Sequence, residues 1–219
     1  MSYSTLRDGI QKGVYAVIDV PIRLMLRMGV TPNMITTVGM LGNVLAAGMI
    51  VWSALYRTAD DVSLIGWAGV VVILFSIMDM VDGRMARLGN LCSTFGAFYD
   101  SVLDRYCELF TLGGMSYYFM QTGHDLFALI TMLSLIGSIM VSYVRARAEG
   151  LDIECKVGLM QRPERVVLTV LGMLLCGFLA PVVRDSFNPL WLLVVPQIII
   201  AVLANYTAFV RIMHVKKQC

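Results

Sequence analysis

The chain has 219 residues; 58% are hydrophobic, 15% are charged, and the formal net charge is +2. Such a composition excludes an ordinary soluble domain and suits a polytopic membrane protein. The small net charge points to no particular partner, and no nucleic acid is expected to bind. Five cysteines, Cys92, Cys107, Cys155, Cys176 and Cys219, are scattered without a C-x-x-C pair and read as free thiols. The two histidines are far apart and form no metal motif.

No cleavable signal peptide is evident, because Arg7, Asp8 and Lys12 interrupt any clean apolar run at the N-terminus. Residues 3–28 read as an amphipathic helix lying in the membrane interface. Ile10, Val14, Val17 and Ile18 recur at helical spacing, and beyond a restart at Pro21 so do Ile22, Met25 and Leu26. Thr31 suits a helix cap and Pro32 the first helical position of a span from Met34 to Tyr56. Further spans are expected from about Val62 into Asp79, from Ser93 to Gln121, Leu126 to Ala148, Arg165 to Val183, and Pro189 to Met213. The expected fold class is an all-α integral membrane bundle of six transmembrane helices. Residues 1–30 form its juxtamembrane segment and residues 31–219 its single domain.

Most lysines and arginines fall at one side of these spans, and only Arg57 and Arg184 at the other. By the positive-inside rule both termini are expected in the cytoplasm of an inner or plasma membrane protein. Asn205-Tyr206-Thr207 fits a glycosylation pattern but lies within the last span and is discounted.

Residues 79–104 contain D-M-V-D-G-R-M-A-R, then eight residues, then G-A-F-Y-D-S-V-L-D. Asp79 and Asp82 are three apart, and Asp100 and Asp104 four apart, so each pair shares a helix face. Carboxylates at membrane depth are costly and mark a functional site. Four of them suit a hard cation such as Mg²⁺ or Mn²⁺ rather than zinc. Two ions held by shared carboxylates would clamp a diphosphate. Gly83 and Ala86 are small enough to admit a phosphate group, and Arg87 carries a charge to neutralise it. Gly96 is expected to relieve crowding where the third span passes the second. A divalent-cation transporter, a structural salt-bridge network with arginines and a solvated loop are the competing readings. A cation channel does not need Gly83, Ala86 and Arg87 beside its carboxylates.

The pattern D-x2-D-G-x2-A-R-x8-G-x3-D-x3-D resembles the signature of the CDP-alcohol phosphatidyltransferases at every defining position: Asp79, Asp82, Gly83, Ala86, Arg87, Gly96, Asp100 and Asp104. The resemblance implies two metal ions, one held by Asp79, Asp82 and Asp100, the other by Asp79, Asp100 and Asp104. It implies that Asp104 is also the general base, that an alcohol attacks the phosphorus of CDP-diacylglycerol, and that CMP leaves. T-P-N-M-I-T at residues 31–36 is similar to the family's nucleotide-lining entry, which adds Asn33 and Thr36, and Ser93 matches another nucleotide position. Read without the resemblance, each of these is a cap or a packing residue. The family is commonly homodimeric, and Gly113-Gly114 would allow close helix contact.

Arg145, Arg165 and Arg211 fall at predicted span ends. They fit either positive-inside charges or an anion site, since arginine binds phosphate bidentately. The stretches Y-x-R-A-R-A-E and R-P-E-R resemble the phosphatidylinositol phosphate synthase branch of the family. That resemblance implies inositol 1-phosphate as acceptor, bound by Arg145, Arg165 and Arg211 with Ser142 nearby. Glycerol 3-phosphate, free inositol or serine would be alternatives within the same chemistry.

Overall fold

The computed structural model describes residues 18–57 and 61–218. The expected amphipathic positions Ile10, Lys12, Val14 and Val17 lie outside the described residues. Among the described residues the only regular structure is helical: α1 (residues 18–27), α2 (Pro32–Tyr56), α3 (Ser63–Leu88), α4 (Thr94–Gln121), α5 (Asp125–Glu149), α6 (Arg162–Val183) and α7 (Leu190–Lys216). The bounds of α2 to α7 fall within a few residues of the expected spans, except that α3 runs nine residues past Asp79. Nothing between Asp79 and Leu88 breaks a helix except the tolerable Gly83. α3 stops where Asn90 turns left-handed at φ 54° and the Leu91 amide bonds back to the Ala86 carbonyl at 2.9 Å. Pro21, expected to restart the chain, sits inside continuous helical backbone in α1.

Among the described residues five helices, α2, α3, α5, α6 and α7, are long and apolar enough to cross a membrane. α4 is the longest of the six at 28 residues, but Asp100, Asp104, Arg105 and Glu108 all lie along it. At 1.5 Å per residue it extends about 42 Å, enough for a bilayer core.

The chain divides into two compact units, residues 1–41 with 74–104 and residues 42–73 with 105–219. In the first, Ile22 of α1, Ile35 of α2 and Val81 and Met85 of α3 form a small core, with Ile18, Met25 and Leu26 against it. The apolar positions expected to face the membrane interface are thus packed against α2 and α3 instead. An ion pair reinforces this packing: Arg84 donates from Nε to Asp19 Oδ1 at 2.8 Å and from Nη2 to Oδ2 at 2.7 Å.

In the second unit, Ile50, Ile65, Met115, Phe119, Met173 and Leu193 are among the fully buried side chains of the main core. Two glycines set one crossing there. A Cβ on Gly177 of α6 would lie 2.3 Å from the Gly66 Cα of α3, so only glycine admits that approach. Buried polar side chains tie α5, α6 and α7 together: Ser134 donates to Gln197 Oε1 at 2.9 Å, and Gln197 Nε2 donates to Thr169 at 3.3 Å. Asn205 donates to the Leu133 carbonyl of α5 at 3.1 Å and the Ala201 carbonyl at 2.7 Å, which suits a packing residue and not a glycan acceptor. The loop at residues 150–161 is fastened to α7. The Met160 amide donates to Thr207 Oγ1 at 3.3 Å, and Arg211 Nε donates to the Val157 carbonyl at 2.8 Å.

Candidate functional site

Within the first unit, α3 carries Asp79 and Asp82, and α4 carries Asp100. Each offers a carboxylate oxygen within 4.8 Å of the others, and Asp82 is buried while the other two are half-buried. Asp104, half-buried on α4 one turn beyond Asp100, is not one of these three. Thr36 of α2 fixes Asp82 in place. Its hydroxyl has one proton and two acceptors in reach, the Asp82 Oδ2 at 2.7 Å and the Pro32 carbonyl at 3.1 Å. The shorter, charge-assisted bond to the buried carboxylate is the stronger. Sequence reasoning assigned Thr36 to a nucleotide; the structure joins it to an aspartate.

Beside this cluster is a cleft of about 200 Å³. Asn33, Thr36, Gly83, Ala86, Arg87 and Ser93, all six residues expected at a nucleotide, line it together with Asp82 and Asp100. Gly83 leaves open space: a Cβ there would meet nothing nearer than the Arg87 guanidinium at 3.8 Å. Ser93 also caps α4, its Oγ accepting the Gly96 amide at 2.9 Å. A Cβ on Gly96 would lie 3.0 Å from the Ser93 Oγ and 3.4 Å from the Asn33 Oδ1. The crowding that Gly96 relieves is thus against two cleft residues, not against α3.

Within the second unit the three expected arginines behave differently from one another. Arg145 is half-buried and pairs with Glu149 at 2.8 Å. Arg165 is buried, donating to Glu108 Oε1 at 2.6 Å and to the Met160 carbonyl at 3.3 Å. Arg211 is also buried, donating to the carbonyls of Val157 at 2.8 Å and Val141 at 2.6 Å. Arg211 and Arg165 both hold the 150–161 loop, through the Val157 and Met160 carbonyls, and Arg211 also bonds the Val141 carbonyl, about one turn before Arg145 on α5. Ser142 is half-buried.

The family comparison agrees with this geometry. Residues 29–212 match the CDP-alcohol phosphatidyltransferase model, a span that includes every residue of the cleft and the arginine cluster.

The chain belongs to this family.

It is therefore an enzyme, a CDP-alcohol phosphatidyltransferase. The chain is 30% identical over 177 residues to the phosphatidylinositol phosphate synthase of Corynebacterium glutamicum, covering 80% of this chain and 77% of that one. It is also similar to the crystal structure of Mycobacterium tuberculosis phosphatidylinositol phosphate synthase with CDP-DAG bound. There the TM-score is 0.76 at 26% identity, over 91% of this chain and 94% of that one. The same mycobacterial protein in complex with manganese and citrate aligns with a TM-score of 0.75 at 27% identity, over 91% and 88% of the two chains.

The donor set of this transferase fits a divalent cation. Three carboxylates converge, all donors are oxygen, and Thr36 takes one lone pair of Asp82 while leaving its other oxygen available. Glu108 was missed by sequence reasoning. It follows Asp100 and Asp104 at the same spacing of four along α4, a signal that was legible. Asp19 was missed as the partner of Arg84, because residues 65 apart in the chain carry no mark of their pairing.

Proposed function

We propose that this chain is a phosphatidylinositol phosphate synthase, transferring the phosphatidyl group of CDP-diacylglycerol to inositol 1-phosphate and releasing CMP. The observation that carries the acceptor is that Arg165 and Arg211 bond carbonyls of the same loop, while Arg211 also bonds the Val141 carbonyl about one turn before Arg145. Three guanidiniums exceed what a neutral alcohol such as serine or free inositol needs, and they match a phosphate. The names of the Corynebacterium and Mycobacterium relatives support the same acceptor.

In this reading Asp79, Asp82 and Asp100 hold one divalent cation, Mg²⁺ or Mn²⁺, and Asp79, Asp100 and Asp104 hold a second. When bound, such ions neutralise the diphosphate and stabilise in-line displacement at phosphorus. Asn33, Thr36, Gly83, Ala86, Arg87 and Ser93 form the wall for the nucleotide, with Gly83 and Ala86 admitting it closely and Arg87 meeting its charge. Arg145, Arg165 and Arg211, with Ser142, hold the acceptor phosphate. The carboxylate of Asp104 takes the proton from the attacking hydroxyl. The new O–P bond forms as the P–O bond to CMP breaks.

The proposal includes six spans, α2 to α7, with α4 crossing in the company of the five more apolar helices. Both termini and the active site face the cytoplasm, as the lysine and arginine placement supports. The segment 18–28 is taken to lie at the interface, supported by Val20, Leu24 and Met28, which it leaves exposed. The enzyme is taken to be a homodimer. Of the glycine pair expected at that contact, Gly114 already packs against Ala47 of the same chain, whereas a Cβ on Gly113 would meet nothing within 4 Å.

Purified protein supplied with CDP-diacylglycerol and Mg²⁺ is tested for CMP release with inositol 1-phosphate, glycerol 3-phosphate, free inositol and serine. The highest kcat/KM is expected with inositol 1-phosphate; preference for an unphosphorylated alcohol would overturn the reading. Arg165→Ala is expected to weaken acceptor binding by about 2–5 kcal/mol, the cost of unpairing a buried charged contact.

A further inference from the structure

Glu108 and Arg165 form a buried ion pair in the second unit, 8% and 3% exposed, with Nη2 and Oε1 2.6 Å apart. The pair is incomplete. Glu108 Oε2 and Arg165 Nε are both buried, and among the described residues both lack a hydrogen-bond partner. The two atoms are complementary, so the pair stands one bond short of a bidentate fork.

Stability is a poor explanation for such a pair. Well-packed apolar side chains generally do as well as a buried ion pair, and each unmade bond adds a desolvation cost. What the pair does accomplish is to fix a guanidinium. Arg165 is pinned at Nη2 by Glu108 and at Nη1 by the Met160 carbonyl. Met160 is itself held, since its amide donates to Thr207 on α7. A guanidinium has five N–H groups. Two are thus engaged, Nε–H is the donor that the second arm of the fork would use, and one N–H on each Nη remains.

We infer that Glu108 is a positioning residue for the acceptor phosphate, acting by orienting Arg165. This rests on the reading that Arg165 binds that phosphate. Glu108 touches no reacting atom. Its side-chain length is the working feature: the carboxylate of α4 has to reach the guanidinium of α6, and an aspartate is one methylene short. Its charge is secondary, because an amide oxygen accepts the same bond.

The test compares Glu108→Asp with Glu108→Gln, using inositol 1-phosphate as the varied acceptor, with CDP-diacylglycerol KM, kcat and melting temperature measured alongside. Glu108→Asp is expected to raise the acceptor KM about tenfold or more, the loss of one charge-assisted hydrogen bond. The KM for CDP-diacylglycerol and kcat stay within about twofold. Glu108→Gln is expected to retain most of the acceptor affinity. An unchanged acceptor KM in Glu108→Asp overturns the inference. So does an equal rise in both KM values, or equal damage from both variants. If neither variant folds, the pair is a stability element and the inference fails. Arg165→Lys, run in parallel, separates the two levels. Should it leave the acceptor KM unaltered, the acceptor reading itself is wrong. Should it raise that KM while Glu108→Asp does not, only the role of Glu108 is lost.

Discussion

Thr36 has a single hydroxyl proton, and its 2.7 Å bond to Asp82 decides which way that buried carboxylate points. Removing the hydroxyl while keeping the shape isolates this role. Thr36→Val is expected to lower activity, and apparent affinity for the divalent cation, by about 10–100-fold, as for partners that orient a metal ligand. Titrating CMP release against Mg²⁺ or Mn²⁺ reads it; an unchanged metal dependence would refute it. Asp104→Asn addresses the other end of the motif. Because Asp104 is not one of the three converged carboxylates, its loss is expected to abolish turnover while nucleotide binding is largely kept. Equilibrium binding of CDP-diacylglycerol beside a single-turnover assay distinguishes the two effects. These residue-level roles were partly legible. The spacing of Asp79, Asp82, Asp100 and Asp104 announced a site. That Thr36 serves an aspartate was not, because the bond joins residues 46 apart in the chain.

Single contacts also decide how elements stay together. α1 is held on α3 by the Asp19–Arg84 pair, and the guanidinium of Arg84 keeps the Asp19 carboxyl below its ordinary range. A lowered folded-state pKa means that the contribution is present above the ordinary carboxylate range and is lost as pH falls through the lowered value. At neutral pH the pair is fully formed. Acidification below about pH 4 is therefore expected to loosen residues 18–27, and Asp19→Asn to do so already at pH 7. Amide hydrogen exchange over that segment measures both, and equal protection in the variant would exclude the latch. The 150–161 loop depends on a glycine instead. Gly158 has φ +111°, and a Cβ there would lie 2.2 Å from Thr207 Cγ2. Gly158→Ala is expected to cost about 2–4 kcal/mol from backbone strain and overlap, read as a lowered melting temperature. Because Arg211 anchors the same loop, the acceptor KM should rise as well.

For the whole molecule, five apolar helices and the family place the chain among membrane enzymes of phospholipid synthesis. Orientation is testable through Cys92, which is exposed in the link between α3 and α4, whereas Cys107, Cys155 and Cys176 are buried. In a Cys219→Ser background, an impermeant maleimide is expected to label inside-out vesicles and spare right-side-out ones. The reverse pattern would place the aspartates on the other side.

Helix positions were readable from the sequence because apolar runs of bilayer length, ended by turns and charges, state them locally. The aspartate motif was readable for the same reason: its residues recur at helical spacing within 26 positions of the chain. α4 shows the reach of this logic, since its length and bounds were legible despite Asp100, Asp104 and Glu108 along it. Only the tertiary structure decided the partners. It gave Thr36 to Asp82, Asp19 to Arg84, Gly66 to Gly177, and Glu108 to Arg165. Each joins helices brought together by packing. A pairing of that kind depends on geometry between distant segments, which local spacing does not encode.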